Sequence, residues 1–187
     1  MRAFLDESGS DQKLDPNTYL LSAAICSEVV IDSTRSEITS LQLKGQRKVH
    51  WRMEGTNRRR EIASAIATFP VEHLVVVFHA LKHQKLERRR RLCLARMLFE
   101  LDELGVKIAT FESRGPSDDR KDLEFLMMQR TKGAVSNDLR MEHRPGPGEP
   151  MLWIPDAICG SVSNARCGEN TFLDIINASA TVRVLTI

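Results

Sequence analysis

The first nine residues constrain the fold more than any other segment of this chain. An apolar run, Ala3-Phe4-Leu5, ends in the adjacent carboxylates of Asp6 and Glu7, and a Ser-Gly turn follows at positions 8 and 9. Asp is disfavoured within strands, so this pattern indicates a first strand that delivers acids to the end of a sheet. Successive strand residues point to opposite faces. We therefore expect one acid to be a metal ligand and the other to support it or lie at the surface.

Strand-like and helical segments alternate along the rest of the chain. Apolar runs predict six strands, at residues 3–6, 18–26, 73–81, 106–112, 139–143 and 181–187. Apolar residues at helical spacing, together with capping and helix-ending residues, predict helices at 32–43, 57–69, 86–104, 155–165 and from 117 or 118 to 132. Two strands followed by alternating helices and strands are typical of a mixed α/β protein. The 187 residues fit one domain, 1–187.

Composition excludes several classes of protein. Hydrophobic residues make up 42% of the chain and charged residues 28%, as in ordinary globular proteins. No segment has the pattern of a secretory signal, and no apolar run is long enough to span a membrane. The four cysteines lack CxxC spacing and are expected to be reduced. These features predict a cytoplasmic protein that does not associate with membranes.

Three acids stand out by their positions in the predicted elements. Asp6 ends the first strand, Glu112 ends a later strand, and Asp156 lies in the first turn of a late helix. Carboxylates that converge at one rim of a sheet can hold Mg²⁺ or Mn²⁺, hard cations that prefer oxygen ligands. Each acid also has a structural explanation, because Asp156 is favoured by the helix dipole and Glu112 can simply face water. Spacing alone leaves both interpretations open.

Basic residues near these acids are candidates for binding phosphate. Arginine binds phosphate oxygens in a planar fork, and Arg114 is predicted to share the strand face of Glu112. His50 can move a proton or contact phosphate, and its neighbour Trp51 can stack on a base; the alternative is a loop that packs Trp51 on the sheet. The other candidates are Lys48, Arg58, Arg59 and Arg120. For the three arginines the alternative is a solvated helix face or a surface ion pair.

A second basic run covers positions 88–91 at the start of a predicted helix. Cations are unfavourable at a helix N-terminus because of the helix dipole. Four arginines there favour a binding role over a purely solvated face.

Four segments of the chain resemble one protein family in the order in which they occur. Residues 4–9 (FLDESG) resemble the F-x-D-E-S-G opening of the bacterial and phage DUF3800 family, and residues 19–25 match the strand that follows it. Residues 48–51 (KVHW) and 152–160 (LWIPDAICG) resemble its later K-x-H-W-like and L-Q-x-A-D-x-x-A-G elements. The resemblance spans about residues 2–165. In the last element, Trp153 replaces the family's Gln and Pro155 replaces its Ala.

The resemblance implies an α/β fold of the RNase H-like type, with a mixed sheet flanked by helices, and nuclease activity. Carried over position by position, it implies that Asp6, Glu112 and Asp156 bind Mg²⁺ or Mn²⁺. From its place beside Asp6, we expect Glu7 to assist as a further or supporting ligand. Asp119 or Asp122 could replace Glu112, which matches the family only loosely.

Three functions remain open at this point. The leading hypothesis is a metal-dependent phosphodiesterase that hydrolyses DNA or RNA with metal-activated water. The replacement at Trp153 and the small net charge of +2 favour an alternative, a catalytically inactive module that binds nucleic acid or protein. The third is an oligomeric interaction protein, since the sequence is compatible with a homo-oligomer. Convergence of the three acids on one point would favour a metal-binding site.

Overall fold

The fold is built around one mixed six-stranded sheet. In the computed structural model, which describes residues 1–80 and 84–187, the strands are β1 (Arg2–Gly9), β2 (Thr18–Cys26), β3 (Glu72–His79), β4 (Ile108–Glu112), β5 (Arg140–Arg144) and β6 (Val182–Thr186). Their order across the sheet is β5-β4-β1-β2-β3-β6. β1 pairs antiparallel with β2 and parallel with β4. All six predicted strands are confirmed, although residue 81, the predicted end of the third, lies outside the described residues.

Within the described residues, six α-helices cover the two faces of the sheet. They are α1 (Ile31–Ser40), α2 (Thr56–Ile66), α3 (Leu86–Glu103), α4 (Pro116–Thr131), α5 (Trp153–Arg166) and α6 (Thr171–Asn177). α6 was not expected from the sequence. It has only seven residues, and the apolar pattern that would predict it rests on the two buried residues Phe172 and Ile176. None of the described helices is long and apolar enough to cross a lipid bilayer.

Successive side chains of β1 point to opposite faces of the sheet, and an apolar core lies on each face. Phe4 packs in a core with residues of α2 and α5, whereas Leu5 packs in a second core with residues of α3 and α4. β2 is buried along its whole length, as its continuous apolar sequence predicts. β1 and β4 therefore lie in the middle of a covered sheet, and their C-terminal ends meet at one rim.

Candidate metal and nucleic-acid site

Strand pairing brings two of the three acids to the same rim. β1 and β4 are parallel neighbours, and Leu5 pairs with Phe111. The next residue on each strand is an acid, Asp6 and Glu112. Both acids line a cleft of about 750 Å³ that opens at this end of the sheet.

The third acid reaches the same cleft from a helix. Asp156 lies in the first turn of α5, which packs against β1, and it lines the cleft with the other two acids. Its Oδ2 atom accepts a hydrogen bond from the backbone N–H of Trp51 at 2.8 Å and lies 3.0 Å from Nδ1 of His50. These contacts tie the segment around residue 50 to the start of α5. The hydrogen bond with Asp156 raises the pKa of His50.

The acids interact electrostatically across the cleft. Burial, then repulsion from Asp156, then repulsion from Glu112, raise the pKa of Asp6 well above its ordinary value. No ion pair of Asp6 occurs within the described part of the chain. A cation in the cleft would relieve this repulsion, because opposite charge favours the ionised carboxylate.

Glu112 is held between a lysine and a glycine. Nζ of Lys48 lies 2.6 Å from Oε1 and 2.9 Å from Oε2 of Glu112. On the other side, a Cβ atom at Gly146 would lie only 2.2 Å from Oε1. The indole N–H of Trp153 donates to the carbonyl of Gly146 at 2.8 Å, which fixes this glycine beside the acid.

The carboxylate oxygens of the cleft suit a hard cation, but the side chains as they stand are not grouped as the ligands of a metal ion. Carboxylate oxygens are the preferred ligands of Mg²⁺ and Mn²⁺. Within residues 1–80 and 84–187, however, no three His, Cys, Asp or Glu side chains are grouped closely enough to hold a metal ion. Lys48 and His50 contact two of the three acids instead. A metal ion held by all three acids would therefore require Lys48 to leave Glu112.

Glu7 also lines the cleft, but its carboxylate is paired with arginines. It follows Asp6 on β1 and so points to the opposite face, where Oε2 accepts from Nε of Arg90 at 2.8 Å. Arg90 also makes a two-pronged ion pair with Asp122, with distances of 2.6 and 2.7 Å. In this arrangement Glu7 pairs with Arg90 and Arg114, and its role as a metal ligand stays a prediction. Asp122 is likewise occupied by Arg90 and by His143.

Arg114 does not share the strand face of Glu112, and that prediction was wrong. β4 ends at Glu112, so the alternation of side chains does not continue to Arg114. Its guanidinium instead lies 3.4 Å from Glu7 and 3.3 Å from Asp122. It still contributes to the wall of the cleft.

The other predicted phosphate-binding residues divide into two groups. Arg59 lines the cleft, donates to the carbonyl of Trp51 at 3.1 Å and lies over its ring. Arg58 forms an ion pair with Glu61, and the exposed Arg120 pairs with Glu124; neither lines the cleft. Two of the predicted arginines therefore take the structural alternative, that of ion pairs within a helix.

Trp51 is buried and unavailable for stacking on a base. A Cβ atom at Gly160 would lie 2.0 Å from its ring, and its indole N–H donates to Asn164 at 3.0 Å. The ring packs edge-on against Phe172. The glycine of the late sequence element thus makes room for the tryptophan of the KVHW segment.

Several residues of the cleft were missed by sequence reasoning. Arg52 extends the basic wall beyond His50, and Ser163 and Asn164 continue the face of α5 that carries Asp156. Helical periodicity could have found the last two, because they follow Asp156 by seven and eight residues, about two turns. Arg52 carries no comparable signal.

Comparison with solved structures identifies the type of fold. A chain in the PCNA:RNase HII complex from Archaeoglobus fulgidus matches with a TM-score of 0.57 at 16% identity, over 90% of this chain and 75% of that one. Ribonuclease H2 from Pyrococcus horikoshii OT3 matches with a TM-score of 0.59 at 10% identity, over 95% and 75%. Bst-RNase HIII, solved with Mn²⁺, matches with a TM-score of 0.54 at 15% identity, over 95% and 53%.

The fold is RNase H-like. At 10–16% identity the likeness shows the fold alone, and this chain spans about half of the RNase HIII chain. No family model matches the sequence, and no curated protein matches it. Membership of the DUF3800 family therefore stays a prediction.

Proposed function

We propose that this protein is a metal-dependent phosphodiesterase acting on DNA or RNA. The observation that carries the proposal is the placement of Asp6, Glu112 and Asp156 in one cleft, where burial and then repulsion from the other two acids raise the pKa of Asp6. The RNase H-like fold supports it, since nucleases share this fold and one of them was solved with Mn²⁺.

The residues of the cleft would have different roles in binding metal and nucleic acid. Asp6, Glu112 and Asp156 would hold Mg²⁺ or Mn²⁺, which supplies an activated water and stabilises the leaving oxygen in phosphodiester cleavage. Lys48, once released from Glu112, can bind a phosphate oxygen through its ammonium group. His50 holds a proton at the edge of the site through its contact with Asp156. Arg52 and Arg59 provide positive charge along the wall where a nucleic-acid backbone would lie.

The test is a cleavage assay on labelled single- and double-stranded DNA and RNA with Mn²⁺, Mg²⁺ or EDTA. We expect cleavage only with metal, and its loss in Asp6→Asn and Asp156→Asn. Asp32→Asn serves as the matched control, because the side chain of Asp32 is 97% exposed and lies outside the cleft. Undiminished metal-dependent cleavage by both cleft variants would overturn the site assignment.

A second function is favoured by a specific observation. Lys48 forms an ion pair with Glu112, His50 contacts Asp156, and the described residues hold no group of three metal ligands. This arrangement fits a module that binds nucleic acid or protein without cleaving it. Nucleic-acid binding that is unchanged by EDTA, with no cleavage under any metal condition, would favour this second function. A cytoplasmic location and a homo-oligomeric state stay predictions.

A further inference from the structure

The basic run 88–91 is divided between the interior and the surface of the protein. Arg89 and Arg90 are buried, whereas Arg88 and Arg91 are exposed on the outer side of α3. Arg90 is accounted for by its ion pairs with Glu7 and Asp122. The two outward arginines have no part in the acid cleft.

Arg88 and Arg91 border an apolar groove between α3 and α4. The groove has a volume of about 630 Å³ and an apolar floor formed by Leu92, Ala95, Phe125 and Met128. Leu92 and Met128 are each 39% exposed. Exposed apolar surface with a polar rim is typical of an interaction site, and this volume is in the range of ligand-binding pockets.

The rim of the groove is positively charged. Lys85, Arg88, Arg91 and Lys132 line it, against a single acid, Glu87. Glu87 pairs with Arg91, and within the described residues the other three cations form no ion pair. Arg88 lies in the first turn of α3, where a cation is unfavourable because of the helix dipole, so an anionic partner there would be stabilising.

We propose that this groove binds an acidic peptide segment of a partner protein, with large apolar side chains seated on the floor and Asp or Glu side chains facing the rim. The apolar floor favours a peptide over nucleic acid, which is bound through phosphate contacts and exposed aromatic platforms. Phe125, the only aromatic residue among the described residues that line the groove, is 9% exposed. The groove shares no lining residue with the acid cleft, so the proposal is independent of the catalytic one.

The experiment measures fluorescence anisotropy with labelled peptides of about 12 residues that carry Leu and Phe at helical spacing between Asp and Glu residues. Two control peptides separate the contributions. One carries Asn and Gln in place of the acids and tests the charge contacts, and the other carries Ser in place of the apolar residues and tests the apolar contacts. Single-stranded DNA and vesicles containing phosphatidylserine are the competing probes. We expect micromolar binding of the acidic apolar peptide only, weakening as salt increases.

Two pairs of variants locate the binding surface. Met128→Glu should weaken peptide binding at least about tenfold, whereas Met127→Glu should not, because Met127 is 57% exposed but does not line the groove. Arg88→Glu should weaken binding similarly, and Arg140→Glu, an exposed arginine on β5, should not. Arg88→Glu places a negative charge near the N-terminus of α3, where it interacts favourably with the helix dipole. This variant should therefore fold, and it keeps the test valid if Met128→Glu does not.

Three results would overturn the proposal. The first is absence of peptide binding by the folded protein. The second is equal binding by the Met128→Glu and Met127→Glu variants. The third is tighter binding of single-stranded DNA or anionic vesicles that depends on Arg88 and Met128.

Discussion

Replacing Lys48 by Gln tests whether the lysine competes with a metal ion for Glu112. Nζ of Lys48 lies within 2.9 Å of both carboxylate oxygens of Glu112. A divalent ion bound by the same carboxylate would be repelled by this ammonium. Removing its charge should therefore tighten Mn²⁺ binding, whereas the loss of a phosphate-binding cation should weaken the binding of nucleic acid.

The size of the effect follows from Coulomb's law and the exposure of the pair. An ammonium and a divalent ion 4 Å apart repel each other by twice the energy of two unit charges, which is about 2 kcal/mol in bulk water and about 8 kcal/mol near a protein surface. The side chain of Lys48 is 21% exposed, so it can swing into water and relieve much of the repulsion. We expect a net gain of about 1 kcal/mol, which is about fivefold in the Kd for Mn²⁺.

Isothermal titration calorimetry of Mn²⁺ into wild type and Lys48→Gln measures this gain directly. Lys44→Gln is the control, since Lys44 is exposed and does not line the cleft. If Lys48→Gln binds Mn²⁺ as weakly as the control, or more weakly, Lys48 does not occupy the place of the metal ion and the reasoning is wrong.

Three further predictions follow from the same geometry. Gly146→Ala should displace the side chain of Glu112, since the added Cβ would lie 2.2 Å from its carboxylate. A misplacement of about 1 Å should weaken metal-dependent cleavage up to about 100-fold. Gly148→Ala should leave cleavage unchanged, because its added Cβ meets no atom within 4 Å. Asp6→Asn should raise the metal-free melting temperature at neutral pH by calorimetry but not near pH 4, because a raised pKa destabilises the ionised folded state; an equal shift at both pH values would contradict this. Burial lowers the pKa of His73 to about 4, so the unfolded chain takes up a proton on this histidine at a higher pH than the folded protein does. Urea unfolding measured at several pH values should therefore show that the free energy of unfolding falls by about 2 kcal/mol between about pH 8 and pH 5. This loss should disappear in His73→Leu, and its persistence there would refute the assignment.

The parts of the fold that were predictable from sequence depend on short-range regularities. β2 is a continuous apolar run and is buried along its whole length. The alternation of side chains on β1 separated Asp6 from Glu7, and the structure places them on opposite faces. The convergence of Asp6 and Glu112 could be expected only once their strands were assumed to be neighbours, because sequence gives no strand order by itself.

The parts that were not predictable depend on contacts between distant residues. Arg114 was assigned to the face of Glu112 because the strand was assumed to continue, but β4 ends first and ion pairs with Glu7 and Asp122 decide its position. The contact of Lys48 with Glu112 joins residues 64 positions apart, and no local pattern predicts it. Such pairs are set by packing of the whole domain.

Trp153 changes the balance between the two proposed functions. From sequence, its presence in place of the family's Gln favoured a module without catalysis. In the structure its indole N–H binds the carbonyl of Gly146, and Gly146 borders the carboxylate of Glu112. The substituted position therefore still acts on the acid site, through the backbone of the Pro-Gly loop, and it is not an argument for lost activity. The two functions differ instead in whether a metal ion can displace Lys48 from Glu112, which is what the Lys48→Gln titration measures.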